Sequence, residues 1–218
     1  MTYYNKGVIL SSLKRNNSAL ISYNAAIQLN PNNAMAYLNK GLVLSSMNRK
    51  DEALASYNKS IQQDSTTNAL AYFNRGNVLL DLNRKQEALD SYNISIKLDH
   101  TYAESYNGRG NALSDLNRKE EALNSYNKSI EINSNNANVY VNKGVVLFAL
   151  KRKQEALESF NKSIELNPNN ADAYNDKGSV LFDLKRKEEA LGFFNAALQI
   201  NPNHELALIN RKLLLSKK

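Results

Sequence analysis

The sequence predicts an all-α chain of tandem helical hairpins. The expectation rests on repetition, on helical periodicity within each repeat and on the punctuation between repeats. Glycines stand at Gly7, Gly41, Gly76, Gly110, Gly144 and Gly178, at intervals of 34, 35, 34, 34 and 34 residues. Four residues before each is a tyrosine: Tyr3, Tyr37, Tyr72, Tyr106, Tyr140 and Tyr174. Twelve residues after each is an alanine, from Ala19 to Ala190, and four further on an aromatic: Tyr23, Tyr57, Tyr92, Tyr126, Phe160 and Phe194. Only a duplicated structural unit keeps four sets in step.

Each element of the unit has a local reason. In the fifth repeat Tyr140, Gly144, Leu147 and Leu150 recur at spacings of three and four, the face of a first helix. Lys151-Arg152-Lys153 interrupts the apolar stripe, which resumes through Ala156, Leu157, Phe160, Ser163, Ile164 and Leu166 as a second helix. Asn167-Pro168-Asn169-Asn170 closes the unit, since asparagine and proline favour turns. The repeats fall at approximately 1–33, 34–68, 69–102, 103–136, 137–170 and 171–204. Residues 205–218 form a C-terminal capping helix, with Leu206, Leu208, Ile209 and Leu213 on its apolar side and Arg211, Lys212, Lys217 and Lys218 near its end.

The glycines predict close packing. A glycine inside a helix costs about 1 kcal/mol relative to alanine, so its recurrence needs a compensating contact. The second-helix aromatic, burying roughly 150–250 Å², is the natural occupant of the space a missing side chain leaves.

The pattern resembles the tetratricopeptide repeat, a helix–turn–helix unit of 34 residues, over nearly the whole chain. The departures are regular. Tyrosine replaces the family tryptophan, Leu10, Leu44, Leu79, Leu113, Leu147 and Leu181 replace a tyrosine, and a lysine or arginine precedes each glycine. Pro31, Pro168 and Pro202 match the family proline, whereas Ser65, His100 and Ser134 stand in its place elsewhere. The resemblance implies a right-handed superhelical solenoid whose first helices line a concave face. It also implies a protein-interaction scaffold rather than an enzyme.

No catalytic constellation contradicts that. His100 and His204 both fall in turns and read as solvated. Ser60, Ser95, Ser129 and Ser163 alternate with Ala26 and Ala197, which marks a small buried position rather than a nucleophile. Cysteine is absent, so disulfides and thiolate metal sites are excluded, and no cofactor is expected. No apolar run approaches the roughly 18 residues of a membrane span. Glycosylation acceptors at Asn58, Asn93, Asn127 and Asn161 fall on predicted helices, as by-products of repetition in a chain expected in the cytoplasm.

Function is therefore sought on surfaces. Laid on the family pattern, the concave positions include Leu38, Asn39, Phe73, Asn74, Asn77, Asp81, Asn107, Asn111, Asp115, Asn142, Val145 and Phe148, with Met1, Glu104, Asp172 and Asp183 among others. Two residues before each glycine stand Asn5, Asn39, Asn74, Gly108, Asn142 and Asp176. A row of amides at the repeat spacing suits the backbone of an extended peptide, similar to the asparagine ladder of the protein O-GlcNAc transferases. No lysine or arginine occupies these positions, which disfavours the carboxylate clamp that grips chaperone C-terminal tails. An alternative surface is the turn within each repeat, where Arg49, Arg84, Lys85, Arg118, Lys119, Arg152 and Arg186 would line one edge. With a net charge of +7, that edge could meet nucleic acid or an acidic partner. A third reading is the recruiting arm of a longer enzyme.

Overall fold

The computed structural model describes residues 2–66 and 68–216, and every element among them is helical. Six helices lead their repeats: α1 (Tyr3–Ser12), α3 (Ala34–Ser46), α5 (Ala69–Asp81), α7 (Ala103–Asp115), α9 (Ala137–Ala149) and α11 (Ala171–Asp183). Six follow them: α2 (Asn16–Leu29), α4 (Lys50–Gln63), α6 (Lys85–Leu98), α8 (Lys119–Ile132), α10 (Lys153–Leu166) and α12 (Lys187–Ile200). The last is α13 (Glu205–Ser216). The chain divides into two compact units, Met1–Leu116 and Asn117–Lys218. In the first, α1/α2, α3/α4 and α5/α6 are hairpins and α7 packs on α6; in the second, α8 packs on α9, followed by hairpins α9/α10 and α11/α12 and by α13.

The helix ends follow from the recurrent polar residues. Asn33, Asn68, Asn136 and Asn170 cap the first helices by accepting a backbone N–H with the side-chain oxygen, as Thr2 does for α1. Ahead of them, Asn30, Asp64, Asp99, Asn133, Asn167 and Asn201 each accept the backbone N–H two residues on. This Asx turn is set before the proline position. Serine and histidine therefore replace proline there without loss of the turn.

Within the repeats, Lys14, Asn48, Asn83, Asn117, Lys151 and Lys185 take positive φ between 56° and 65°. The following arginine N–H reaches back to the helix carbonyl, as in Arg49 to Leu44 and Arg152 to Leu147, both 2.9 Å. Together these form a Schellman stop. Asparagine suits the left-handed position and lysine does not, a feature the apolar pattern could not disclose.

The glycine contact is the core of each hairpin. A Cβ built on Gly41 would lie 2.5 Å from Tyr57 Cε1, and one on Gly144 2.7 Å from Phe160 Cε1; Gly7 with Tyr23, Gly76 with Tyr92 and Gly178 with Phe194 repeat the arrangement. These aromatics are essentially inaccessible. Gly108 has the same role from the other side, since its Cβ would come 2.5 Å from Tyr92 Cε1. The gap in the asparagine row is thus steric.

The recurrent serines are buried as expected. Ser60 and Ser95 donate to the carbonyls of Ala34 and Ala69, both at 2.8 Å, tying α4 and α6 to the starts of α3 and α5.

Two expectations are corrected. Ala207 and Leu214 are the buried residues of α13, whereas Leu206, Leu208, Ile209 and Leu213 are exposed. The buried side is fixed by register, because Ala207 and Leu214 occupy the places of Ala173 and Val180, both fully buried one repeat earlier. Arg211 and Lys212 lie on α13, while Lys217 and Lys218 fall outside the described residues. His204 is not a solvated turn residue. It is 8% exposed, its Nδ1 accepts the Ala207 N–H at 3.2 Å, and its Nε2 lies 3.0 Å from Asp172 Oδ1. It serves as the helix cap that asparagine supplies elsewhere.

The packing predicts a coupled pair. Gly144→Ala gains about 1 kcal/mol of helix propensity yet drives a methyl into a buried ring, which typically costs about 1–3 kcal/mol. We expect net destabilisation by urea unfolding, reversed to a gain when Phe160→Leu is made first. Additive single and double variants would show that the two residues do not oppose each other.

Candidate functional site

The sequence-selected residues are placed by the faces that the helices leave uncovered. In the first unit α1, α3, α5 and α7 are successive neighbours. Asn39, Phe73, Asn74, Asn77, Asn107 and Asn111 are half-buried along them, and Asp81 and Asp115 are exposed at the ends of α5 and α7. Val8, Met35, Leu42 and Leu70 add exposed apolar surface, so α1 and α3 are oily where α7 is polar. Leu38 departs from its assignment. It is 1% exposed and belongs to the core with Tyr57 and Leu44, at the place that Asn175, 2% exposed, holds in the last repeat, so this position faces inward in both.

The amides are already partly engaged. Asn39 Nδ2 donates to Tyr4 Oη at 3.0 Å, and Asn74 Nδ2 to the Leu70 carbonyl at 2.8 Å. Asn77 accepts the Tyr92 hydroxyl at 2.7 Å. Each bond uses one of an amide's several hydrogen-bonding positions. Asn77 is partly structural, since burial pushes the Tyr92 hydroxyl well above its usual range and leaves it a committed donor.

In the second unit Asn142 and Phe148 are half-buried on α9 and Val145 is exposed. Beside them, two of the three acids of α11 differ in character. Asp183 is paired with Lys153 at 2.8 Å, which holds its carboxyl below the ordinary range. Asp176 is half-buried, and desolvation pushes its pKa up to about 6 despite a 3.0 Å hydrogen bond from Asn175 Nδ2. It lines a pocket of about 200 Å³ between α9, α11 and α13. Asn210 of α13 was not singled out from sequence, yet it donates to Asn175 Oδ1 at 2.9 Å. The only sequence signal was Asp176 breaking an asparagine series. Met1 falls outside the described residues.

The edge is less basic than its composition. Arg49, Arg84, Arg118, Arg152 and Arg186 each pair with the glutamate three residues on at 2.7 Å. Both nitrogens of each fork engage the carboxylate, as in Arg84 with Glu87. Such exposed pairs add little stability, but they neutralise much of the row. Lys50 lies 3.5 Å from Asp81, and Lys85 donates to the Asp115 carbonyl at 3.1 Å, so both lean toward the first helices. Among the described residues no three acids or histidines gather as a metal site, and no helix is long and apolar enough to cross a membrane.

Asp176 makes stability pH-dependent. Its folded value, about 6, lies above the ordinary 3.8, so the native chain binds the proton first as pH falls. Ionisation therefore weakens the fold at neutral pH, and the penalty fades as pH drops through 6 toward 4. Asp176→Asn should stabilise by about 1–3 kcal/mol at pH 7, at about 1.4 kcal/mol per unit, and by nearly nothing at pH 4. Paired denaturation curves would measure this, and a constant difference would exclude a desolvated carboxylate.

Tetratricopeptide repeat matches fall at residues 34–67, 137–170 and 171–204, and TPR repeat matches at 7–48, 76–117 and 110–151. No curated protein sequence matches. Among solved structures, YrrB, a TPR protein with an unusual peptide-binding site, is 30% identical with a TM-score of 0.68, covering 87% of this chain and 97% of its own. MamA is 25% identical with a TM-score of 0.69, over 74% and 94% of the two chains. Pseudomonas aeruginosa PilF is 17% identical with a TM-score of 0.84, over 99% and 96%, and shares the fold. The glycine–aromatic hairpins and these matches agree: the chain belongs to the tetratricopeptide repeat family, an all-α solenoid of helical hairpins.

Proposed function

We propose that the chain is a non-enzymatic scaffold that binds an extended peptide or a partner helix on the exposed face of its first helices. One observation carries the reading. Positions outside the glycine–aromatic contact change from repeat to repeat on this face, from Val8 and Leu42 to Asn77 and Asn111, while the glycine–aromatic positions stay constant. Exposed apolar residues beside half-buried amides suit a segment held by its backbone and anchored by its side chains. The peptide-binding site of YrrB supports the same reading.

The alternative, nucleic acid or an acidic partner on the edge of arginines and lysines, is supported by the net charge of +7. It is weakened by the arginine–glutamate forks. The chemistry of the first helices favours a protein ligand and disfavours a chaperone C-terminal tail.

A peptide selected from a random library on the wild-type chain provides the test. Asn74→Ala with Asn111→Ala should weaken binding tenfold to a hundredfold, since each lost hydrogen bond typically costs about 0.5–1.5 kcal/mol and more if its partner stays buried. Arg84→Ala with Lys119→Ala should leave it nearly unchanged. The opposite outcome, with affinity falling steeply as salt rises, would move the functional surface to the edge.

A further inference from the structure

We infer that the pocket between α9, α11 and α13 receives a lysine or arginine side chain of the bound segment, a specificity that rests on the proposed use of the first-helix face. Its volume, about 200 Å³, suits one side chain rather than a whole small-molecule ligand, for which sites usually exceed about 300 Å³. The walls are apolar. Val145 and Leu206 are 46% and 59% exposed there, and Phe148 lies beside them. Such walls match the alkyl stem of a long cationic side chain.

The polar end of the pocket is a carboxylate. Asn210 donates to Asn175 and Asn175 to Asp176, a relay that fixes the acid. No basic residue lines the pocket among the described residues. Two further titratable side chains bear on Asp176: Asp172, which disfavours its ionisation, and His204, whose imidazole lies against Asp172 and carries a charge only when protonated. The residues that α9 and α10 present, Val145, Phe148 and Phe160, carry no charge. A partly desolvated carboxylate without a cation is an unfavourable arrangement, and a ligand ammonium or guanidinium relieves it.

Comparison between repeats strengthens the assignment. Where Asp176 stands, other repeats have asparagine or glycine, and where Phe160 stands, four have tyrosine. In the first unit the Tyr92 hydroxyl reaches the first-helix face and bonds Asn77. At the pocket the hydroxyl is gone and a negative charge has been added. Both changes remove hydrogen-bond donors and leave acceptors, which selects a donor-rich, positively charged ligand.

The test uses the full chain, isotope-labelled, titrated with two end-blocked pentapeptides that carry lysine or norleucine between leucines. The lysine peptide should shift the side-chain amide signals of Asn175 and Asn210 and bind at least tenfold more tightly. Asp176→Asn should collapse that difference. Equal affinity of the two peptides would overturn the charge assignment and leave the first-helix face standing as a binding surface. A lysine preference that survives Asp176→Asn, or that moves only residues of the first unit, would overturn the pocket. Neither peptide shifting any first-helix residue would overturn this inference and count against the broader reading too.

Discussion

In five hairpins of this chain a second-helix aromatic meets a first-helix glycine, and the face that the first helices expose depends on that contact. The ring sits where a Cβ would have been, which sets how closely the two helices of a hairpin approach. Close approach brings the far side of the ring near the exposed face, so that Tyr92, held between Gly76 and Gly108, places its hydroxyl on Asn77. Core and candidate binding surface are therefore one ring thick. The same economy accounts for three of the basic residues that precede the glycines. Arg75 and Arg109 lie over the rings of Tyr72 and Tyr106 at 5.9 and 5.2 Å, and Lys177 over Phe193 at 3.9 Å. A long cationic side chain covers apolar surface with its stem and leaves its charge in water.

The turns divide the labour differently. Between repeats an Asx turn and an asparagine cap settle the backbone within a few residues, and proline is optional. Within repeats the arginine has two structural duties. Its backbone closes the first helix, and its side chain forks onto the glutamate in the first turn of the second. Recurrence of a cation is thus accounted for without a ligand. The charge that remains is spread over lysines, several of which lean toward acids on the first helices.

What the sequence made legible follows from what repeats. A contact reproduced at every period leaves a residue at every period, so the hairpins, the packing glycines and the small buried serines could all be read directly. Features that occur once leave no such trace. His204 looked like any turn residue, because nothing local distinguishes a capping imidazole from a solvated one. The buried face of α13 was misassigned since its leucines outnumber its contacts. Register with the preceding repeats, not hydrophobicity, decides that Ala207 and Leu214 face inward. Leu38 failed for a related reason. The pattern gives a position's average exposure, and in this repeat and the last that position faces inward. The left-handed lysines were invisible because strain of that kind has no periodic apolar signature.

The same logic separates architecture from recognition. A position constrained by packing must keep its chemistry in every copy, whereas a position that meets a ligand is free to differ, because each copy meets a different part of it. Gly108 shows that variation alone is insufficient, since its departure from asparagine is explained by the ring it touches. Asp176 is the contrary case. Nothing in its packing calls for a charge: an asparagine would accept the same hydrogen bond from Asn175, and burial disfavours the ionised acid. A residue that costs the fold stability and is not required by its neighbours is explained only by something outside the fold. In this chain such residues, rather than the abundant and regular ones, are the ones that the proposed binding would explain.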